Sequence, residues 1–203
     1  MTATIVPPPA VTTSVTPAEV HRVPRRMIDT ILTAGGLLMA VLLVIAGGLL
    51  IWAHTFVDNE IHNQLAAEQI FFPAANSSAV SAPEFAAMRQ YGGQQLLTGA
   101  QAEVYADHFI ANHLKTIGGG KTYSQLSAQA QTDPTNTKLA ATVDTMFKGE
   151  TLRGLLLNAY AFGTMATIAL IAAIAAFVGA GLMLILAALG MLHIRKTRVA
   201  NVS

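Results

Sequence analysis

The side chains best suited to chemistry lie close together, within residues 103–113. They are Glu103, Asp107, His108 and His113. Ligands of one metal ion on a single helix need to share a face, as residues three or four apart do. Glu103 and Asp107 meet that condition, but His108 and His113 are five apart, about 140° around a helix of 3.6 residues per turn. The spacing therefore favours a solvated or partner-facing helix surface over a metal site.

A second pattern with a chemical meaning is the stretch Gly-Gly-Gly-Lys-Thr at residues 118–122. It resembles the end of a phosphate-binding loop, but the full motif needs a glycine five residues before Gly120, where this chain has Lys115. No strand is predicted before it either. We therefore reject nucleotide binding and interpret the three glycines as a flexible helix end.

The composition excludes further classes of function. The chain of 203 residues contains no cysteine, which rules out disulfides, thiolate nucleophiles and Cys-ligated metal centres. Its net charge of +1 is too small for nucleic-acid binding, which needs a concentrated basic face. Charged residues make up 11% of the chain, against about 25% in a soluble domain. We predict a membrane protein, and no residue pattern indicates a cofactor.

Two uncharged runs are long enough to cross a bilayer. Residues 30–53 form the first, with 24 residues, and about 20 apolar residues span the hydrocarbon core. A cleavable signal peptide is the alternative, but its apolar region has about 7–15 residues and ends at a small-residue site, which this run lacks. We predict an uncleaved transmembrane helix over 27–55.

The second run, 154–192, has 39 residues without Asp, Glu, Lys or Arg, which is nearly twice the length of one crossing. Either it contains two short spans with a turn at Gly179–Gly181, or one span continues a helix that begins outside the membrane. Two spans would place the basic tail outside, so we favour one span over 158–192. Neither run has an ionisable residue in its interior, which disfavours a transporter acting alone.

Basic residues predict the orientation of the spans. Three arginines precede the first run within residues 22–26, and three basic residues follow the second within 195–198. Flanks rich in Lys and Arg stay in the cytoplasm. We therefore expect a plasma-membrane protein with both termini cytoplasmic. Its predicted parts besides the spans are a disordered tail over 1–26, an extracytoplasmic domain over 56–157 and a basic tail over 193–203.

Residues 56–157 are predicted to form an all-α bundle on extensions of the two spans, since no stretch alternates as a strand would. The first helix is expected to continue to Leu65 and to end before Pro73. Further helices are predicted over 83–88, 102–117, 122–130 and 134–147.

Capping patterns support these helices. Thr98 and Gln101 form a capping box before the helix 102–117, and Thr122 caps the next one. Pro134 is expected in the first turn of the last helix. Gly149 is expected to break or bend the chain before the second span.

Small residues in both spans predict close helix packing, because association in lipid depends on the approach of the backbones. They are Gly36 with Ala40 and the pair Gly47–Gly48 in the first span, and Ala172, Ala176 and Ala180 with Ala175 and Gly179 in the second. Alanine-rich spans are common, so composition alone is the other explanation. On the functional interpretation, these residues pack the spans together, or against a protein partner or a second copy.

Three stretches of the chain resemble a family of uncharacterised two-span membrane proteins from actinobacteria. They are GAQAEVYADHFI at 99–110, GGKTYS at 119–124 and GETLRGLLLNAY at 149–160. The resemblance covers roughly residues 44–188 and implies an actinobacterial plasma membrane. Its recurrent polar residues imply a candidate interaction surface: Tyr105, Asp107, His108, Lys121, Tyr123, Glu150 and Arg153. Some members are labelled aromatic ring-opening dioxygenases, which need a non-haem iron held by two His and a carboxylate, and no spacing here supplies that triad.

The leading hypothesis is a non-enzymatic integral membrane protein of the lipid bilayer whose outer helical domain binds a partner or stabilises a membrane assembly. The alternative is a module that senses a small ligand outside the cytoplasm, although its short tails hold no output domain. A metal-dependent oxygenase, as the family label suggests, is a remote third.

Overall fold

The computed structural model describes the backbone of residues 25–200 and the side chains of residues 27–195. Within that range every regular element is a helix, apart from one isolated antiparallel bridge between Phe71 and Gln95. The predicted all-α class is confirmed. The predicted tail over 1–26 lies outside the described side chains, as does most of the predicted basic tail over 193–203.

Two long helices, α1 (Arg25–Glu68) and α5 (Thr137–Ala200), frame the molecule. The shorter elements between them are two 3-10 helices (Ser78–Val80 and Pro83–Tyr91), α2 (Gly99–Val104), a π-helical segment (Tyr105–Ile110), α3 (Ala111–Ile117) and α4 (Tyr123–Thr132). Residues 56–157, which contain all of these shorter elements, are called the head below.

Both long helices have the length and composition to cross a membrane, over Met27–Glu68 and Thr137–Arg195. Only 11% of the apolar 18-residue window in each helix is buried within the protein. Most of their Leu, Ile, Val and Phe side chains therefore lie on the outside of the molecule. Soluble proteins rarely expose so continuous an apolar surface, because its contact with water costs about 25 cal/mol per Å².

The two long helices pack against each other in antiparallel orientation. Gly47 on α1 lies against the ring of Phe177 on α5, where an added Cβ atom would be 2.9 Å from Cζ. Seven residues further along α1, the His54 Nδ1 atom lies 3.0 Å from the carbonyl oxygen of Ala166. Because residue numbers rise along α1 and fall along α5 from one contact to the next, the two helices run in opposite directions.

The seam between these helices repeats every seven residues along α5. The buried small residues are Ala40 and Gly47 on α1 and Ala166, Ala173, Ala180 and Ala187 on α5. Seven residues make almost two full turns, whereas steps of four drift about 40° each around a helix of 3.6 residues per turn. The four-residue spacing was therefore the wrong pattern for this seam. The other small residues named above are half-buried at its margins (Gly36, Ala176, Gly179) or exposed (Gly48, Ala172, Ala175).

α5 is one helix of 64 residues, so the break predicted as one outcome at Gly149 does not occur. The missing side chain at Gly149 instead makes room for Leu114, whose Cγ atom would lie 3.2 Å from an added Cβ. The glycine serves close packing between α3 and α5 rather than helix termination.

The start of α5 also differs from the prediction, since the helix begins at Thr137 and not around Pro134. The Asn136 N–H donates to the Asp133 carbonyl at 3.2 Å, which places Pro134 in a turn. The Asn136 Oδ1 atom then accepts the Leu139 N–H at 3.0 Å. Asparagine is a favoured N-cap, and here it determines the first helical residue.

The head is built along the first part of α5. Gly99 packs on the backbone of Ala159 and Tyr160, while Leu114 packs at Gly149, so the segment from α2 to α3 runs antiparallel to α5. The side chains buried most completely in the head are Val80, Met88, Leu96 and Met146. These residues come from the 3-10 helices, the following loop and α5, which makes the head one packed unit.

The predicted capping box at Thr98 and the predicted cap at Thr122 are confirmed. The Thr98 hydroxyl accepts the Gln101 N–H, and the Gln101 side chain accepts the Thr98 N–H at 3.1 Å. Thr122 forms the same reciprocal pair with Gln125 at the start of α4. These bonds satisfy N–H groups that a helix start otherwise leaves without partners.

Three predicted helices differ in detail. α1 ends at Glu68, before Pro73 as expected, and Gln69 takes a positive φ of 51°. The helix predicted over 83–88 is a 3-10 helix that continues to Tyr91. The helix predicted over 102–117 is interrupted by the π-helical segment Tyr105–Ile110.

Candidate functional site

An ion pair joins two of the predicted surface residues across the head. Arg153 on α5 donates from Nη2 to Asp107 Oδ1 at 2.8 Å. Its Nη1 atom lies 3.8 Å from Glu150 Oε2, one turn earlier on α5. The side chains are 33% exposed for Arg153 and 42% for Asp107, so water screens the pair only in part. The three residues clamp the π-helical segment to α5.

The π-helical segment positions both Asp107 and Tyr105. Such wide turns insert one residue into a helix and often occur at functional sites. Here the Tyr105 ring points into the core, where it meets Phe72 edge-on with ring centroids 5.4 Å apart. It also lies 4.8 Å from the ring of Phe109. Burial raises the pKa of the Tyr105 phenol, because the charged phenolate would lose its hydration.

Lys121 and Tyr123 lie at the start of α4. The Lys121 ammonium donates to Gln129 Oε1 at 3.1 Å, and the Tyr123 ring packs on Phe147 at a centroid distance of 5.7 Å. Lys121 also lines a groove of about 170 Å³ together with Glu150 and Arg153. The structure thus brings Asp107, Lys121, Glu150 and Arg153 into one polar cluster.

His108 lies apart from that cluster. Its Nδ1 atom is 2.9 Å from the carbonyl oxygen of Glu84, at the start of the second 3-10 helix. A carbonyl oxygen only accepts, so Nδ1 must carry the hydrogen. The seven predicted residues therefore do not form one surface, because His108 faces a different element and Tyr105 faces the core.

A larger groove lies beside His108, with a volume of about 590 Å³ between the second 3-10 helix and α3. The residues that give it its chemical character are Glu84, Phe85, Asn112, His113, Lys115 and Ile117. No local sequence pattern predicts that Glu84 and Phe85 contact α3. The closeness of His113 and Lys115 in the sequence was the one local feature that could have pointed to this groove.

The potential metal ligands of the π-helical segment do not converge. Within the described part of the chain, no group of three His, Asp or Glu residues lies close enough to hold a metal ion. His113 is engaged locally, since its Nδ1 atom lies 2.7 Å from the Phe109 carbonyl oxygen. These side chains act here as hydrogen-bonding and packing groups.

The comparisons with known proteins add no relative. No family model matches the chain, and neither a curated protein nor a solved structure shows significant similarity to it. The resemblance to the actinobacterial two-span family therefore stays a prediction.

Proposed function

We propose that this chain is a non-enzymatic, two-span plasma-membrane protein whose head lies outside the cytoplasm and binds a partner protein or stabilises a membrane assembly. On this proposal the spans are residues 27–55 and 158–192, both termini are cytoplasmic, and the chain belongs to the actinobacterial family that it resembles.

The apolar surfaces of α1 and α5 support the membrane location. His54, which ends the uncharged run of α1, lies opposite Ala166, well inside the uncharged run of α5. Trp52 and Phe56 stack there with ring centroids 5.7 Å apart, and both are exposed. Aromatic residues concentrate at membrane–water interfaces, and Asp58 follows one turn later, on the side of the head.

The charges of the two ends support the orientation. The segment between the spans carries six Lys or Arg and nine Asp or Glu and nets −3, whereas the flanks beyond the spans are basic. Basic flanks are retained in the cytoplasm, and acidic residues hinder export little.

Exposed apolar side chains on the head carry the proposal of a partner. Phe71 is 56% exposed, Phe147 54% and Ile117 46%, although all three lie outside the proposed spans. Exposed aromatic and aliphatic groups on an otherwise polar surface are typical of protein interaction sites. Arg153 pairs with Asp107 and Glu150 through its Nη atoms, which fits a structural role for those residues, while its buried Nε atom has no partner among the described residues.

The orientation can be tested with single cysteines, because the native chain has none. We would introduce Ala128→Cys on the exposed side of α4, and Ser14→Cys or Ser203→Cys in the tails. A membrane-impermeant maleimide should label only Ala128→Cys in intact cells and all three variants after lysis. Labelling of either tail, but not of the head, in intact cells would reverse the proposed orientation.

The partner can be tested with a photoreactive amino acid placed at position 71, 117 or 147 in living cells, with position 128 as the matched exposed control. A discrete adduct at one of the three apolar positions, and none at 128, is expected. A protein that stays monomeric and forms no adduct at any position would contradict the proposed binding role.

A further inference from the structure

The groove beside α3 carries opposite charges at its two ends. The Glu84 backbone is fixed at His108 by the 2.9 Å contact described above. Lys115 follows His108 by seven residues and lines the same groove as Glu84. At a rise of about 1.5 Å per residue, Glu84 and Lys115 are separated by roughly 10 Å along the groove.

Neither charge is satisfied within the protein. Among the residues whose side chains are described, no hydrogen bond or ion pair is made by the Glu84 carboxylate or by the Lys115 ammonium. Asn112 lies between them and donates its amide to the His108 carbonyl at 2.7 Å, while its Oδ1 atom accepts no hydrogen bond from any described residue. That oxygen is available to a backbone N–H, the donor that a docked peptide presents.

The wall between the two charges is aromatic. Phe85 and His113 lie 6.0 Å apart between ring centroids, and Phe109 stands behind them, 4.3 Å from His113. Exposed Ile117 extends this apolar wall. Such a wall suits an aromatic or aliphatic anchor of the kind that dominates protein interfaces.

The position of the groove disfavours lipid as its occupant. Gly118, at the end of α3, packs near Met146, twelve residues before the start of the proposed span at residue 158 on α5. That distance corresponds to about 18 Å of helix, which places this end of the groove beyond the headgroup layer. Because the groove carries both a carboxylate and an ammonium, it also disfavours a purely anionic or a purely cationic ligand.

We infer that the partner protein docks in this groove through a turned segment of three residues, because an extended backbone would point the middle side chain away from the groove. The segment places a basic side chain at Glu84, an apolar side chain on the Phe85 and His113 rings, and an acidic side chain at Lys115. This inference rests on the proposed function, because it assigns the partner's binding site.

The test uses the full-length protein in detergent micelles and three capped tripeptides, Lys-Phe-Glu, Glu-Phe-Glu and Lys-Phe-Lys, titrated by ligand-observed NMR. The wild type should bind Lys-Phe-Glu about threefold more tightly than the other two, as expected for one exposed charge contact. Glu84→Lys should change the preference to Glu-Phe-Glu, and Lys115→Glu should change it to Lys-Phe-Lys. The double variant should bind Lys-Phe-Glu least tightly and should prefer a fourth capped peptide, Glu-Phe-Lys, in which both charges are exchanged.

Matched controls carry the same charge changes elsewhere. Glu68→Lys at the end of α1 and Lys138→Glu at the start of α5 are exposed and should leave the peptide preference as in the wild type. Equal binding of the three peptides, no binding up to 10 mM, or an unchanged preference in Glu84→Lys and Lys115→Glu would overturn the inference. Tighter binding of an uncapped Leu-Phe-Leu peptide would also overturn it, since the groove would then hold free small peptides.

The outcome is separable from the proposed function. If the peptides fail while adducts form at position 71 or 147, the partner binds elsewhere on the head. If neither experiment gives binding, the binding role itself fails.

Discussion

The guanidinium of Arg153 and the carboxylate of Asp107 meet at 2.8 Å although 46 residues separate them in the chain. The pair fixes the only π-helical segment of the described chain to the continuous helix α5. Because that segment also carries Tyr105 into the core, the ion pair and the aromatic packing hold the same turn from opposite sides.

Asp107→Asn is expected to lower the free energy of unfolding by up to about 1 kcal/mol, the range of partly exposed ion pairs. Pulse proteolysis in urea, on the protein in mild detergent, measures it. Asp144→Asn is the control, because its bond to Lys148 lies between side chains that are 60% and 73% exposed. That change should cost about 0.3 kcal/mol. Equal losses of unfolding free energy in the two variants would show that the Asp107 pair contributes no more than an ordinary exposed ion pair.

Gly149→Val is expected to destabilise the head by about 2 kcal/mol, because the new side chain would overlap Leu114 in a packed interior. Gly154→Val is the matched control, since an added Cβ at Gly154 meets nothing within 4 Å. That variant should be neutral or slightly more stable, as glycine is a poor helix former.

The same contact predicts non-additivity. Leu114→Ala alone creates a cavity, but in the Gly149→Val background the valine fills part of it. The loss in free energy of unfolding in the double variant should be smaller than the sum of the two single losses by at least about 1 kcal/mol, because neighbouring sites couple. Strictly additive losses would show that Leu114 and Gly149 do not compete for the same space.

Gly47→Ile should separate α1 from α5, because its side chain would occupy the position of the Phe177 ring. Gly48→Ile is the control one residue away, where nothing lies within 4 Å. We expect the Gly47 variant to melt at a lower temperature in detergent and the Gly48 variant to melt like the wild type. Equal melting temperatures would contradict the observed seam.

Alkaline pH should destabilise the head through Tyr105. Its raised pKa means that the folded state retains the phenol proton at a pH where the unfolded state has lost it. The stability is therefore fully present below pH ~10, the ordinary pKa of tyrosine, and is lost as the pH rises toward the folded-state pKa. Tyr105→Phe should flatten this decline in urea-unfolding curves recorded between pH 8 and 11. A decline as steep as that of the wild type would contradict the burial effect.

Local signals predicted the ends of several elements well. Thr98 with Gln101 and Thr122 with Gln125 cap the helices that follow them, because a capping box is complete within four residues. The long uncharged run at residues 154–192 likewise predicted one long helix, because hydrophobicity can be read from the sequence without knowing any tertiary contact.

Tertiary contacts decided what the sequence could not predict. Glycine has a low helix propensity, which suggested a helix end at Gly149. The glycine is instead explained by the Leu114 side chain, which occupies the space that a Cβ atom at position 149 would fill. The π-helical insertion at Tyr105 follows from contacts with Phe72 and α5 rather than from local propensity. The groove was missed for the same reason, since Glu84 meets His108 across 24 positions.

The uninterrupted course of α5 has a mechanical consequence. Its 64 residues form a single helix about 95 Å long, and the contacts of Leu114 and Gly99 from the head lie in its first half, between Gly149 and Gly163. An unbroken helix has no hinge at which its head end could rotate independently of its other end. A torque applied to the head is therefore transmitted along the helix, and a tilt of a few degrees becomes a displacement of several ångströms at the Ala200 end.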